Sequence, residues 1–368
     1  MNGPERLKTA LARGIADRVP HFEMAYNESS IIGIAKHFTD NLPAVDFVQR
    51  MSIEDKIKLF DALLLMVDEL DVDGLTLRIL TKNEDLDQNH FKDIWGVTYL
   101  LSPAGDSPVV AGPIKTEADL KGFRPPEVSE ADMLLLSYGG SKVKGKRGIV
   151  MALRCSFRVS WSLMGGLDKL LIAYRRDPKL VHRLMRMTTD YIIQVIDMAA
   201  GMGTEIFGMD GDLAYDSGSF MSPTQFREFV KPYYIDIVNA ARCHNIPIFK
   251  HSDGDLTPIL PDIIDAGFEG IHPIQPQCMD LAEIKRDYGS KVCILGNVDC
   301  MYVLTRGTEA EVVADVKRAL AQGSAGGGYI ITSSNTIHPD VKPENYIAMV
   351  KALQKYGVYE GNTIRPID

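Results

Sequence analysis

The stretch IPIFKHSDGDLTPILPDIIDAGFEGIHPIQPQCMDLAEIKRDYGSKVCILGNVDC, residues 246–300, decides the fold. It holds three short apolar runs, each closing on polar residues: His251 and Asp253 after PIFK, His272 and then Cys278 after FEGI, and Asp299 and Cys300 after VCILGN. Segments of helical length separate the runs, so the pattern is strand, loop, helix, repeated, as in parallel βα units. Such a sheet brings its strand C-termini to one face. Closed into an eight-stranded barrel, it carries its active site in the βα loops there, and His251, Asp253, Cys278 and Cys300 become neighbours.

The flanking sequence supplies the remaining units. Glu5 to Gly14 reads as a short helix, and HFEMA (21–25) suits a first strand with Glu23 near its C-terminal end. Residues 42–71 read as helical, with Leu59, Leu63, Leu64 and Val67 at helical spacing, and DGLTLRIL (73–80) as a second strand. Residues 89–114 are β-rich and contain a turn signal at Pro103 to Asp106, which predicts an inserted flap. Residues 115–147, with Gly139 and Gly140, read as a linking region, and RGIVMALRC (147–155) as a third strand. Asp177 before Pro178 starts a long helix that stops at Gly201 to Gly203, and TEIFGMDGD (204–212) is a fourth strand ending on Asp210 and Asp212. Ser222 before Pro223 starts a helix running to about Asn245. Asp280 with Glu283, and Thr308 with Glu311, have capping-box spacing. GGGYIITSSN (326–335) is the eighth strand, and Pro343 to Tyr356 the last helix, closed by Gly357. Residues 1–368 thus read as an α/β chain forming one (β/α)8 TIM barrel, with an insertion at 89–114.

Composition narrows the function. With 45% hydrophobic and 24% charged residues, the chain can bury a large core. Acidic residues outnumber basic ones by 49 to 40, giving a net charge of −9, and the densest basic run, KVKGKR (142–147), reads as a solvated loop. Nucleic acid is not expected as a partner. No apolar run is long enough for a bilayer, and the N-terminal residues lack the apolar core of a signal peptide, so a cytoplasmic protein without membrane contact is expected. The five cysteines (155, 243, 278, 293 and 300) show no disulfide-framework spacing and are expected to be reduced.

A catalytic zinc takes nitrogen, sulfur or carboxylate ligands and keeps an open position. His251, Asp253 and Cys300, with Cys278 as a further candidate, offer those types from adjacent strand ends. Cys293, inside VCIL, and Cys243, on a helix, read as packing residues. His272 serves either as a wall residue of the site or as a participant. Asp210 and Asp212, near Tyr215, bind a cationic or hydroxylated substrate, act as acid or base, or give a carboxylate to the metal. There is no phosphate loop, dinucleotide fingerprint or nucleophile elbow.

Five segments carry a family resemblance: ERLKTALARGIADRVP (5–20), MSPTQFREFVKPYY (221–234), PIFKHSDGDL (247–256), ILGNVDC followed by LTRGTEAEV (294–312), and GGGYIITSSNTIHPDVKPENY (326–346). On these the chain resembles the uroporphyrinogen decarboxylase superfamily along nearly its whole length, which implies a (β/α)8 barrel with its site at the strand C-termini. The decarboxylases of that superfamily carry an arginine-rich motif after the first strand, where this chain has HFEMAYNES, and a histidine after the last strand, where it has Ser334 and Asn335. The zinc-dependent methyltransferases of corrinoid pathways form another branch, and in the coenzyme M members the zinc motif is His-x-Cys with a later Cys. Here His251 matches, Asp253 replaces the middle cysteine, and Ser333 to Asn335 replace the last.

What the resemblance implies is a first methyltransferase of a demethylase system. It would move a methyl group from a methoxylated aromatic, or another small methylated substrate such as a methylamine or betaine, to the Co(I) corrinoid of a separate partner protein docked near the flap. Zinc would be held by His251, Asp253, Cys278 and Cys300. Asp210, Asp212 and Asn335 would act in catalysis, and Glu23, Arg154, Tyr215 and His272 would bind substrate. A homodimer is common in the superfamily. Against this stand a metal-free decarboxylase or lyase using Asp210, Asp212 and Arg154 or Arg158, and a non-enzymatic corrinoid- or tetrapyrrole-binding chaperone on the same barrel.

Overall fold

The computed structural model describes residues 1–48, 50–102 and 107–366. The chain opens on α1 (Gly3–Leu11), whose cap residue Asn2 and Glu5 form a reciprocal capping box, and continues through α2 (Glu28–Ala35) to α3 (Ile53–Glu69). The expected helix over 42–71 is shorter at its start because Ser52, accepting from the Asp55 amide at 3.1 Å, is its N-cap.

Strand β1 (Gly74–Arg78) follows, and then the flap. Four short strands, β2 (Glu84–Asp85), β3 (His90–Lys92), β4 (Thr98–Leu100) and β5 (Val109–Ala111), form an antiparallel sheet apart from the main one. The insertion therefore begins a few residues before 89, while the predicted turn at 103–106 lies outside the described residues. Gly112 lets the flap approach the barrel: a Cβ there would stand 2.2 Å from the Leu163 carbonyl oxygen.

The linking region contains α4 (Glu117–Gly122) and α5 (Leu134–Val143). Gly139 and Gly140 do not interrupt α5 but lie within it, and a Cβ on Gly139 would stand 2.7 Å from the Phe60 ring. After β6 (Gly148–Arg154), two helices unmarked in the sequence reading, α6 (Ser156–Leu163) and α7 (Leu167–Arg176), precede the long α8 (Pro178–Gly201), capped by Asp177 as expected. Strand β7 (Ile206–Asp210) leads to the hairpin β8 (Ala214–Tyr215) and β9 (Gly218–Ser219). The helix expected from Ser222 to about Asn245 is two, α9 (Pro223–Phe229) and α10 (Lys231–Cys243). They are split at Val230 because Pro232, having no N–H, suits only the first turn of a helix.

The decisive stretch forms β10 (Ile248–His251), α11 (Leu260–Asp265), β11 (Gly270–His272), α12 (Leu281–Tyr288) and β12 (Cys293–Leu295), as its pattern predicts. Asp280 caps α12 through the Glu283 amide, without the reciprocal half of a capping box. Then come α13 (Val303–Arg306), α14 (Glu309–Gly323) with its full Thr308 and Glu311 box, β13 (Tyr329–Ile330) and α15 (Pro343–Tyr356). Gly357 ends α15 with φ −87°, not in the left-handed conformation.

The main sheet is seven-stranded and parallel, in the order β1, β6, β7, β10, β11, β12, β13. It curls, and its two edges meet through the segment expected to be the first strand. Pro20 O accepts from Ile331 N at 3.0 Å, and His21 O accepts from Asp73 N at 2.9 Å. HFEMA makes a single parallel bridge, His21 to Ile331, instead of a ladder. Pro20 has no amide to give, the His21 amide goes to the Asp73 carboxylate, and the Ser333 amide goes to the Glu23 carboxylate, so side chains take the place of strand pairing. Buried side chains from Leu7 to Leu353 make one connected cluster. No described helix is long and apolar enough to cross a membrane.

Candidate metal centre and its surroundings

Three acid or base side chains converge at the C-terminal ends of β7 and β10. Each of Asp212, His251 and Asp253 offers one ligand atom, and the three atoms lie within 4.8 Å of one another. His251 Nε2 is 3.9 Å from Asp212 Oδ1 and 3.9 Å from Asp253 Oδ1. Two bonds of about 2.1 Å span about 4.2 Å, so one cation reaches the imidazole and either carboxylate.

The loops are tied to one another. The Asp253 amide donates to Asp212 Oδ1 at 3.0 Å, and the buried Ser252 hydroxyl accepts from Leu213 N and donates to Asp253 O, both at 2.9 Å. Gly254, with φ +85°, passes so close to the β8 turn that a Cβ would stand 2.7 Å from Tyr215 O. Gln275 Oε1 accepts the Gly254 amide at 2.9 Å, and Asn335 donates its side-chain amide to Asp253 Oδ2.

Proton counting gives His251 its tautomer. Thr332 Oγ1 donates to Ser333 O at 2.7 Å, so at its 3.0 Å contact with His272 Nε2 it accepts. His272 is fully buried, and desolvation, reinforced by the adjacent His251, holds it well below the ordinary histidine range, so it is neutral and its Nδ1 is an acceptor. His251 Nδ1, at 2.7 Å, therefore carries the proton and donates to His272. Burial also lowers His251 against the opposing pull of Asp212. Its Nε2 lone pair is left facing two carboxylates. Three electron-rich groups directed at one point repel one another, by roughly 3 kcal/mol for two charges about 5 Å apart at an effective dielectric near 20. A cation there reverses the sign.

The other expected site residues are placed as follows. Asp210 ends β7 and accepts from Arg78 Nη1 at 2.9 Å. Burial would raise its carboxyl, but Arg78 and Arg154, with His251 and Lys250, outweigh that and hold it below the usual carboxylate range. Arg154 is the exposed end of β6. Tyr215, Asp253, Gln275, Met301, Ser334 and Asn335 are among the residues lining a pocket of about 170 Å³ beside the triad. A larger groove of about 660 Å³ runs between α8 and Pro125 to Pro126 and involves none of the strand-end residues.

Three expected residues stand elsewhere. Both carboxylate oxygens of Glu23, a buried residue, are taken by Ser333, whose hydroxyl lies at 2.6 Å, and by His21 at 2.9 Å. The Cys300 thiol is buried against Ser334 Oγ at 3.2 Å, and desolvation pushes it up to about 12. Cys278 lies 3.9 Å from Asp216, and burial with nearby carboxylates raises it to about 11. Neither cysteine belongs to the triad, and the third member is Asp212, whose sequence reading had included a metal carboxylate. His272 contacts His251 and Thr332 and is not among the residues lining that pocket. The sequence reading overlooked Arg78, Ser252 and the wholly buried Lys250, whose ammonium donates to Gly211 O at 2.7 Å and to His251 O. Both cations carried the same signal, a charge directly after a short apolar run, LTL before Arg78 and PIF before Lys250.

The model of the family described as uroporphyrinogen decarboxylase (URO-D) matches residues 95–356, well over half of the chain. The chain belongs to the uroporphyrinogen decarboxylase family. A relative named uroporphyrinogen decarboxylase, from Chlorobium phaeobacteroides, is 27% identical over 193 residues, covering 50% of this chain and 51% of that one. The chain thus spans about half the length of that URO-D relative. Among solved structures, a methyltransferase from Methanosarcina mazei superposes with a TM-score of 0.77 at 20% identity, over 96% of this chain and 99% of that one. A B12-independent methionine synthase from a Shewanella species gives 0.54 at 10% identity, over 92% and 98%. Both likenesses are of fold, and they place this URO-D chain in a layout shared with methyltransferases.

Proposed function

We propose that this chain is a zinc-dependent methyltransferase that moves a methyl group from a methoxylated aromatic to the Co(I) corrinoid of a partner protein. Its barrel would be completed by Pro20 to Met24 in the eighth strand position. The observation that carries the reading is the His251 Nε2 lone pair aimed at Asp212 and Asp253, a nitrogen and two oxygens that leave positions open for substrate. Asp212, His251 and Asp253 are the proposed ligands. Cys278 and Cys300 do not converge with these three ligand atoms and are left out of the set. The name of the Methanosarcina structure supports methyl transfer as the chemistry.

Zinc bound there would supply a Lewis acid that draws electron density from the ether oxygen. The chain's own residues do the positioning. His272 keeps the His251 proton on Nδ1, Asn335 and the Asp253 amide fix the two carboxylates, and Tyr215 and Met301 border the pocket in which the aromatic ring would sit. The ether C–O bond would break with its electrons kept on oxygen as a phenolate, and the corrinoid of the partner protein would supply the electron pair that takes the methyl group. The corrinoid protein would dock at the strand C-termini, near the flap.

Zinc-loaded protein mixed with free Co(I) cobalamin and a panel of methoxylated aromatics tests this through the spectral change from Co(I) to methyl-Co(III). Methyl transfer that depends on both metal and aromatic is expected. No transfer to cobalamin, together with carbon dioxide release from a carboxylated substrate by metal-free protein, would establish the decarboxylase reading that the family membership favours.

A further inference from the structure

Lys250 is wholly buried, yet it lies inside β10 next to His251. Successive residues of a strand face opposite sides of the sheet, so Lys250 points toward the helix layer, where Nζ stands 5.9 Å from the ring of Tyr234 on α10. From behind the sheet its ammonium reaches two carbonyls at the strand ends: Gly211 O accepts at 2.7 Å, and His251 O accepts as well. Gly211 precedes Asp212, and His251 is itself in the triad. One buried side chain thus joins the loop that carries a carboxylate to the strand that carries the imidazole.

That loop needs holding. Asp210 ends β7, and the backbone turns at Gly211 with φ +130°, which glycine adopts without strain. On one side the turn rests on Cys155: the Cys155 amide donates to Asp210 O at 2.7 Å, and a Cβ on Gly211 would stand 2.5 Å from Cys155 Sγ. On the other side Lys250 takes the Gly211 carbonyl. The Asp212 side chain beyond the turn is 47% exposed, and its carboxylate is met by the Asp253 amide at 3.0 Å. Desolvation lowers the Lys250 ammonium, and the pull of Cys155, Asp212, Asp210 and Asp253 opposes it. Methionine would fill most of the same space without the cost of burying a charge, so what lysine adds is its charge and its hold on the two carbonyls.

We propose that Lys250 is a positioning residue of the metal centre: it fixes the Gly211 carbonyl against the end of β10 and so keeps Asp212 within ligand distance of His251. Its link to metal rests on the zinc reading of the triad, while the tether itself rests on the Lys250 contacts alone. Charge and tether act on zinc with opposite sign. A positive charge nearby repels a bound cation, so losing that charge would tighten zinc, whereas losing the tether would weaken it.

Two measurements on the full chain test this, comparing wild type with Lys250→Met, Lys250→Gln, Asp212→Ala and the double variant of Lys250→Met with Asp212→Ala, each first matched to wild type in circular dichroism. The first is amide exchange in metal-free protein at Leu213 and Asp253, whose N–H groups donate to Ser252 Oγ and Asp212 Oδ1. The second is zinc affinity by competition with a chromogenic chelator. Lys250→Met is expected to speed exchange at both amides, to leave β6 and β12 unchanged and to weaken zinc about 10- to 100-fold, the usual cost of losing support behind a ligand. In the Asp212→Ala background it should weaken zinc no further, because the two residues act through one contact. Lys250→Gln keeps an N–H donor but ends one bond short, so it should fall between wild type and Lys250→Met, and it decides by the same two measurements if Lys250→Met does not fold. Exchange as in wild type, zinc bound as tightly as in wild type or more tightly, or an equal loss with and without Asp212 overturns the positioning role. Faster exchange at Leu213 and Asp253 in the variant of a chain whose wild type takes up no zinc keeps the tether on Asp212 and removes the metal reading. Zinc uptake that is indifferent to Lys250 does the reverse.

Discussion

His251 and His272 are joined Nδ1 to Nδ1 at 2.7 Å, and the proton between them belongs to His251 because His272 spends its own on Thr332. This pairing leaves His251 Nε2 as a lone pair, so His272 sets the tautomer of the proposed metal ligand from outside the triad. His272→Phe, which fills the space but accepts nothing, is predicted to lower zinc affinity about 10- to 100-fold, the usual cost of losing such support. Competition against a chromogenic chelator measures it, and unchanged affinity would show that the pair has no part in metal binding.

The flap is set on the barrel by a close backbone approach. A Cβ on Gly112 would stand 2.2 Å from Leu163 O and 2.4 Å from Gly165 N, and backbone does not yield as a flexible side chain does. Gly112→Ala is expected to lift the flap: amide exchange should speed up in His90–Lys92 and Thr98–Leu100 and stay unchanged in β6 and β7. Exchange rates identical to wild type in all four strands would contradict this.

Asp73, fully buried, ties the segment between the sheet edges. Its carboxylate accepts from Arg6 Nη1, Arg18 Nη2 and the His21 amide, each at 2.9 Å. Asp73→Ala leaves two largely buried guanidiniums without their shared partner and is predicted to cost about 3 kcal/mol of stability. Denaturant unfolding of variant and wild type reads the difference directly, and a loss under about 1 kcal/mol would refute the assignment.

The main sheet was legible where period and punctuation agree. PIFKH, FEGIH and VCIL each become a strand because a short apolar run meets a polar loop at one end and a helix beyond it. HFEMA misled because its alternation is that of a strand, whereas Pro20 and the carboxylates of Asp73 and Glu23 take over the hydrogen bonds that a strand would make. At the site, His251 and Asp253 stood out as polar residues at a strand end. That Asp212 and not Cys300 converges with His251 was invisible, since it depends on how far a loop folds back. Cys300 ends under Ser334, while Asp212 meets the Asp253 amide. Tautomers, too, are a property of three-dimensional partners such as Thr332, 60 residues from His272.

The most direct test of the central claim is the metal content, by elemental analysis, of protein purified without chelator and supplied with zinc. The comparison is wild type against His251→Ala, Asp212→Ala and Cys300→Ala. The account predicts about one zinc per chain in wild type and Cys300→Ala, and loss of the metal in His251→Ala and Asp212→Ala. Zinc that survives Asp212→Ala but is lost with Cys300→Ala, or wild type that takes up none, would contradict it.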